Sequence, residues 1–145
     1  MPYCPERKLA FCHIPRTGGV SVATAMNLVV KDKHFKASYY RETFPDYKLF
    51  TIVRPYEDRV RSAFGYGIPQ DKRREMYATF DDMVEAVMKV GADNIGLMIK
   101  PNEYFLDCEV DFTLRFDHIQ QDLDAMLLSI GFPSVQLVKC NSFKQ

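Results

Sequence analysis

The segment that most constrains the fold is Phe11–Ser21, where an apolar run meets a pair of glycines and then a second apolar stretch. The run Lys8–Ile14 has the length and composition of a buried strand, and Pro15 and the glycine pair end it. The stretch Val20–Val30 predicts a buried helix, although its β-branched residues favour helix only weakly. A buried strand that passes through a glycine turn directly into a helix is typical of an α/β domain.

This first turn also has the composition of an anion-binding site. Gly18 and Gly19 let backbone N–H groups converge without a Cβ in the way, and the start of a helix adds about half a positive charge. Arg16 supplies a permanent cation with a fork of donors, and Thr17 and Ser21 supply hydroxyl groups. The alternative is a plain tight turn with an exposed arginine.

The turn differs from the phosphate loop of enzymes that use ATP or GTP. That loop reads G-x-x-x-x-G-K-S/T, and its lysine and hydroxyl serve the phosphates and magnesium. With Ser21 in the hydroxyl position, Val20 stands where the lysine belongs and Ile14 where the first glycine belongs. Arg54 follows the second strand, where such enzymes often carry a metal-binding aspartate. We therefore expect anion binding by arginine, without a metal.

A second turn repeats the arrangement. The run Lys48–Val53 predicts another buried strand, and Arg54 follows it at the carboxyl end, where open α/β sheets place ligands. Pro55 at a first helical position favours a helix over Pro55–Tyr66. Ser62 lies about two turns into that helix, with Arg59 on the same side, so the two could clamp a second phosphate.

The alternative for the arginines of this helix is a solvated face. Arg59 and Arg61 would then pair with Glu57 and Asp58. The spacing favours this interpretation for Arg61 and leaves both open for Arg59.

The rest of the chain continues the alternation of strands and helices. A capping-box-like pair, Thr79 and Asp82, predicts a third helix that Gly91 ends. Val110–Phe116 alternates like a strand, and the apolar positions of His118–Ile130 predict a last helix. The sequence thus predicts a single α/β domain over residues 1–145, with a mostly parallel sheet flanked by helices.

Composition limits the classes of partner and compartment. The 19 basic and 19 acidic residues cancel, so no overall charge attracts nucleic acid or an anionic membrane. No apolar run is long enough to span a bilayer, and the first residues do not resemble a secretory signal. The cysteines lack C-x-x-C spacing, which favours reduced thiols in a cytoplasmic protein; they are Cys4, Cys12, Cys108 and Cys140.

In the sequence of both turns, the chain resembles the sulfotransferases that use 3′-phosphoadenosine 5′-phosphosulfate (PAPS), above all the heparan- and chondroitin-type carbohydrate sulfotransferases and their bacterial and viral relatives. The family's 5′-phosphosulfate loop reads H-I-P-K-T-G-G-T-S, and His13–Ser21 reads H-I-P-R-T-G-G-V-S. Its 3′-phosphate motif reads V-R-N-P-x-x-R-x-x-S-A, and Val53–Ala63 matches it with the Asn missing. Arg16 replaces the family's lysine, Val20 replaces its threonine, and the chain is short for the family.

The resemblance implies a P-loop-like three-layer fold and transfer of a sulfuryl group from PAPS to an acceptor hydroxyl, possibly of a saccharide, or amine. PAPS is then the co-substrate, no metal is required, and adenosine 3′,5′-bisphosphate is released. Arg16 is expected to stabilise the departing 5′-phosphate oxygen, and His34 is the candidate general base, with Glu42, Asp46 and Glu103 as alternatives. His13 is expected to brace the first turn. The implied donor-binding residues are Arg16, Thr17, Gly18, Gly19, Val20, Ser21, Arg54, Ser62, Ser142 and Lys144.

Two other functions remain open at this point. One is a degenerate protein that binds the nucleotide without turnover, which the replacements at Arg16 and Val20 and the short chain keep in consideration. The other is a phosphotransferase that uses ATP and magnesium, against which the missing G-K-S/T speaks. The sequence identifies no acceptor and no oligomeric state.

Overall fold

A computed structural model describes residues 2–30, 34–66, 81–82 and 100–138. Strands and helices alternate along most of this part of the chain. The strands are β1 (Pro2–Cys4), β2 (Leu9–Cys12), β3 (Val29–Val30), β4 (Lys48–Val53) and β5 (Phe112–Arg115). The helices are α1 (Gly19–Ala25), α2 (Ala37–Thr43), α3 (Tyr56–Tyr66), α4 (Asn102–Phe105) and α5 (Ile119–Ser129), with a 3₁₀ turn over Phe116–His118 before α5.

The described strands form one mixed sheet in the order β3–β1–β2–β4–β5. Pairing is parallel from β2 to β4 and from β4 to β5, but β1 runs antiparallel to both β2 and β3. A tight turn joins β1 to β2, with Lys8 N–H donating to the Pro5 carbonyl at 3.3 Å, and such a short connection permits only antiparallel pairing. The prediction of a mostly parallel sheet is therefore confirmed for β2, β4 and β5. It is wrong for β1 and β3, whose pairings are antiparallel.

Helices pack on both faces of the sheet because alternate residues of β2 point in opposite directions. Leu9 and Phe11 lie in a core cluster with residues of α1 and α5, whereas Ala10 and Cys12 lie in a second cluster with residues of α2 and α4. The Phe11 ring stacks on that of Phe50 across the parallel β2–β4 pair, with centroids 4.6 Å apart. A strand buried on both faces accounts for the unbroken apolar run in the sequence.

The first helix is shorter than the sequence predicted. The helix expected over Val20–Val30 begins at Gly19 and ends at Ala25. Asn27 has a left-handed backbone with φ of 52°, and Leu28 N–H donates to the Ala23 carbonyl at 2.9 Å, as in a helix-terminating turn. The valines that follow form strand β3 against β1, which their β-branched side chains favour.

The other predicted elements in the described part are confirmed with small changes at their ends. Strand β4 has the predicted bounds, Lys48–Val53. Helix α3 starts one residue after Pro55, and β5 and α5 lie inside their predicted ranges. The helix predicted after Thr79 lies outside the described residues except for Asp81 and Asp82, which are helical. None of the described helices has the length and apolar character needed to cross a bilayer.

Candidate functional site

The first turn is held by its own hydrogen bonds and by unusual backbone angles. Arg16 and Gly18 both have a left-handed backbone, with φ of 63° and 82°, and α1 begins at the next residue. The Thr17 side chain is fully buried, and its hydroxyl donates to the Ile14 carbonyl at 2.7 Å. Thr17 therefore stabilises the turn, and its hydroxyl hydrogen is directed inward.

Gly19 is required because the His13 ring occupies the space beside it. A Cβ at this position would lie 2.2 Å from two atoms of the imidazole, which real structures do not allow. The His13 ring also stacks on Phe11, with centroids 5.1 Å apart. Removal from water, followed by the effect of nearby His34, lowers the pKa of His13 to about 3, so the imidazole is neutral at ordinary pH. His13 braces the turn, as expected from the sequence.

The candidate base His34 lies directly against the first turn. Its Nδ1 is 2.8 Å from the His13 carbonyl, and the two imidazole centroids are 4.7 Å apart. A carbonyl only accepts hydrogen bonds, so this Nδ1 carries a proton. In a neutral His34, the basic lone pair is therefore on Nε2.

Arg54 extends from the end of β4 to the first turn. Its Nη1 donates to the Arg16 carbonyl at 3.2 Å, and its guanidinium lies 4.0 Å above the centre of the Phe116 ring. Burial lowers the pKa of Arg54, with Asp58 and Asp117 acting in the opposite direction. Its Nε is buried and has no hydrogen-bond partner within the described part of the chain. A buried donor of this kind is the group that an anionic ligand would satisfy.

The two turns are also joined by side chains. Arg16 Nε donates to Ser62 Oγ at 2.9 Å, which links the first turn to the middle of α3. The cation of one predicted anion site thus contacts the hydroxyl of the other. The structure therefore brings together Arg16, Arg54 and Ser62 at the carboxyl ends of β2 and β4.

Arg59 organises both turns from the protein interior. It is fully buried, and it donates to the carbonyls of Pro15 at 2.9 Å and Lys100 at 2.8 Å and to Asn102 Oδ1 at 2.7 Å. Burial lowers its pKa to about 10, which leaves it charged at neutral pH. Of the two interpretations left open for Arg59, the solvated ion pair is therefore excluded by its burial. Arg61 does pair with Glu57, at 3.3 Å on an exposed face, as predicted.

Two residues of this region were missed by the sequence analysis. Asn102 links Arg59 to the second turn, because its Nδ2 donates to the Arg54 carbonyl at 3.2 Å. Phe116 lies beneath Arg54 and also lies near Gly18, since a Cβ there would be 3.5 Å from the Phe116 ring. An asparagine after a proline and a phenylalanine at a strand end carry no sequence signal for such contacts.

The remaining candidates are less closely tied to the turns. Val20 is 43% exposed and Ser21 is partly buried, both in the first turn of α1. Glu42 and Asp46 are exposed, and Glu103 is exposed but close enough to Arg59 to influence its pKa. Ser142 and Lys144 lie outside the described residues. No cluster of three or more potential metal-binding side chains occurs in the described ranges.

No protein-family model, no curated protein and no solved structure matches this chain.

Proposed function

We propose that the chain is a PAPS-dependent sulfotransferase of P-loop-like, three-layer architecture. The observation that supports this proposal is the contact of the first turn with Arg54, which donates to the Arg16 carbonyl, and with Ser62 of α3, which accepts from Arg16 Nε. PAPS has a phosphosulfate at one end and a phosphate at the other. A ligand with two anionic groups suits two adjoining cationic turns better than a ligand with one.

The proposed donor occupies both turns. The backbone of Gly18–Ser21, at the start of α1, faces the phosphosulfate, and Arg54 with Ser62 binds the 3′-phosphate. The unpartnered Arg54 Nε supports the second assignment, because a phosphate oxygen would satisfy that donor. Ser142 and Lys144 complete the proposed donor site on the strength of the resemblance alone.

In the proposed reaction, an acceptor hydroxyl or amine attacks the sulfur in line with the leaving phosphate. A bond forms between acceptor and sulfur, the bond from sulfur to the 5′-phosphate oxygen breaks, and adenosine 3′,5′-bisphosphate leaves with that electron pair. His34 Nε2 takes the acceptor proton, which the Nδ1 hydrogen bond to the His13 carbonyl permits by fixing the tautomer. Positioning and charge stabilisation supply most of the rate acceleration.

A thermal-shift panel tests the nucleotide class. Adenosine 3′,5′-bisphosphate at 100 times its Kd, without magnesium, is expected to stabilise the fold by about 2.7 kcal/mol, or about 5–10 °C in Tm. ADP at the same concentration is expected to have little effect. A larger shift with ATP and magnesium would overturn the proposal in favour of a phosphotransferase.

A matched pair of arginine variants tests the site. Arg54→Ala is expected to weaken binding of adenosine 3′,5′-bisphosphate about 10- to 100-fold, since it removes a charge-assisted contact. Arg115→Ala, at the end of the neighbouring strand, is expected to leave that affinity unchanged because Arg115 is paired with Asp122. Equal affinities of the Arg54→Ala variant and the wild type would contradict the assignment.

Turnover is tested by mass spectrometry of sulfated products, with PAPS and a panel of saccharide, phenol, amine and peptide acceptors. With an acceptor that is sulfated, His34→Gln is expected to reduce kcat about 100-fold or more and to remove the low-pH limb of the pH–rate profile, over which the rate rises as the base loses its proton. A variant profile identical to that of the wild type would exclude His34 as the base. Binding of adenosine 3′,5′-bisphosphate without transfer to any acceptor would identify a nucleotide-binding protein without turnover.

A further inference from the structure

The proposed base lies on a segment that belongs to no helix or strand. Residues 34–36 precede α2, which begins at Ala37, and they take no part in a sheet ladder. A general base acts efficiently only while it is held within about 0.5 Å of its productive position. Because regular hydrogen bonding does not fix residues 34–36, their contacts with other parts of the chain decide where the His34 imidazole lies.

The end of β2 holds this segment on one side. His34 Nδ1 donates to the His13 carbonyl at 2.8 Å. The buried thiol of Cys12 contacts the Phe35 carbonyl at 3.6 Å and the Phe105 carbonyl of α4 at 3.8 Å. A thiol is a weak hydrogen-bond donor, so the β2 side alone holds the backbone of the segment only weakly.

A carboxylate from the connection between α4 and β5 holds the segment on the other side. Lys36, at the N-cap position of α2, makes no capping hydrogen bond with its side chain. Asp107 provides the cap instead: the Ser38 backbone N–H donates to one carboxylate oxygen at 2.9 Å, and the Ser38 hydroxyl donates to the other at 2.5 Å. Hydrogen bonds to an ionised acceptor are about twice as strong as neutral ones, so this contact fixes the start of α2.

We propose that Asp107 is a positioning residue for the base, because its hold on Ser38 sets the start of α2 and thereby the place of the His34 imidazole. This inference rests on the proposed function, in which His34 takes the acceptor proton, and adds to it a residue outside both turns. Without the carboxylate, the first N–H groups of α2 lose their acceptor and the backbone before them gains freedom. The Nδ1 bond to the His13 carbonyl would then form only part of the time, and the basic lone pair would no longer stay on Nε2.

The charge state of Asp107 suits this role. Removal from water acts to raise the pKa of Asp107, but the hydrogen bonds from Ser38 outweigh that effect and leave the pKa below its ordinary value. The carboxylate is therefore ionised at neutral pH, and both of its oxygens accept hydrogen bonds. The cap is complete at the pH at which transfer would be measured.

The tautomer of His34 provides a test that needs no acceptor. The imidazole nitrogens are observed by ¹⁵N NMR of the labelled full chain at a pH at which the ring is neutral. The chain has three histidines, so His34→Gln identifies the His34 signals. The variant is Asp107→Ala. The matched control is Glu109→Ala, which removes another exposed carboxylate of the same connection but keeps the carbonyl that accepts from Arg41.

We expect the wild type and Glu109→Ala to hold the Nδ1–H tautomer, and Asp107→Ala to shift the tautomer ratio about 3-fold or more toward Nε2–H. With an acceptor that is sulfated, Asp107→Ala is expected to lower kcat about 10-fold. The KM for PAPS and the Kd of adenosine 3′,5′-bisphosphate are expected to change less than about 3-fold, because the variant leaves both turns intact.

Asp107→Asn keeps one acceptor oxygen and is expected to give a tautomer ratio between those of the wild type and Asp107→Ala. A Tm measurement verifies folding, and Asp107→Asn carries the comparison if Asp107→Ala does not fold. A folded variant with the wild-type tautomer ratio or the wild-type kcat would overturn the inference and leave the proposed function standing. Equal changes in Glu109→Ala would do the same. A wild type that binds no adenosine 3′,5′-bisphosphate would overturn the proposed function, and the inference with it.

Discussion

The ends of two neighbouring parallel strands, β4 and β5, carry the same residue type in opposite situations. The guanidinium of Arg115, the last residue of β5, makes two hydrogen bonds to the Asp122 carboxylate, at 2.9 and 3.0 Å, and the Arg115 backbone N–H makes a third, so α5 neutralises this arginine. Arg54, just after β4, has no salt bridge within the described residues; it contacts the Arg16 carbonyl and the Phe116 ring. Arg54, which makes no direct bond to a carboxylate in the described part of the chain, is therefore better placed than Arg115 to bind an external anion.

The largest effect on stability is expected from replacing the buried Arg59, which donates to backbone carbonyls beside both turns. Arg59→Met leaves the carbonyls of Pro15 and Lys100 without their donor, and we expect the free energy of unfolding to fall by about 3–5 kcal/mol. Urea denaturation measures this change. The control Arg61→Met, on the exposed face of the same helix, is expected to change stability by about 0.5 kcal/mol or less. A similar loss in both variants would contradict the role given to Arg59.

An intermediate effect is expected from Gly19→Ala, which introduces a Cβ into the space of the His13 ring. Displacement of that ring or of the turn is expected to reduce stability by about 1–3 kcal/mol and to weaken adenosine 3′,5′-bisphosphate binding. Gly131→Ala is the comparison, because Gly131 also has a constrained backbone, with φ of 83°, but lies after α5 with open space around it. If Gly131→Ala weakened the binding of adenosine 3′,5′-bisphosphate as much as Gly19→Ala does, the first turn would have no special part in binding.

The smallest effect on stability is expected at the end of β5, where Arg115 is paired with Asp122. Hydrogen bonds from Arg115 lower the pKa of Asp122 to about 2, so this carboxylate stabilises the fold above its unfolded pKa near 4 and loses that contribution as the pH falls toward 2. Asp122→Asn is expected to lower Tm by about 2 °C or less at pH 7, since the Arg115 side of the pair is exposed to solvent. The difference between variant and wild type is expected to shrink at pH 2–3, as thermal unfolding across pH would show. A difference that is independent of pH would exclude the ion pair as its cause.

The elements that the sequence predicted well are those with strong local signals. Strand β4 and helix α5 have apolar runs of the right length or period, bounded by proline, glycine or polar residues. Strand β1 is three residues long and contains a proline, and helix α2 is polar and aromatic without a clear apolar period, so neither gave a signal. The antiparallel side of the sheet was missed for the same reason, because it depends on β1 and on the two residues of β3.

At the site, the sequence predicted the types of residue but not which of them make contact. The glycine pair and Arg54 follow local rules for turns and strand ends, which a sequence displays. The bonds of Arg59 to the Pro15 and Lys100 carbonyls could not be predicted, because every residue has a carbonyl and only the fold selects one. The contact of Arg16 with Ser62 likewise depends on a backbone angle that an arginine rarely adopts.

The position of Phe116, between Arg54 and Gly18, has a practical consequence. The chain contains no tryptophan, so Phe116→Trp would introduce a single indole fluorophore directly beneath the guanidinium. Any anion that draws Arg54 away from that ring would change the emission of the indole. Ligand binding at Arg54 could then be followed in real time by stopped-flow fluorescence, without a labelled nucleotide.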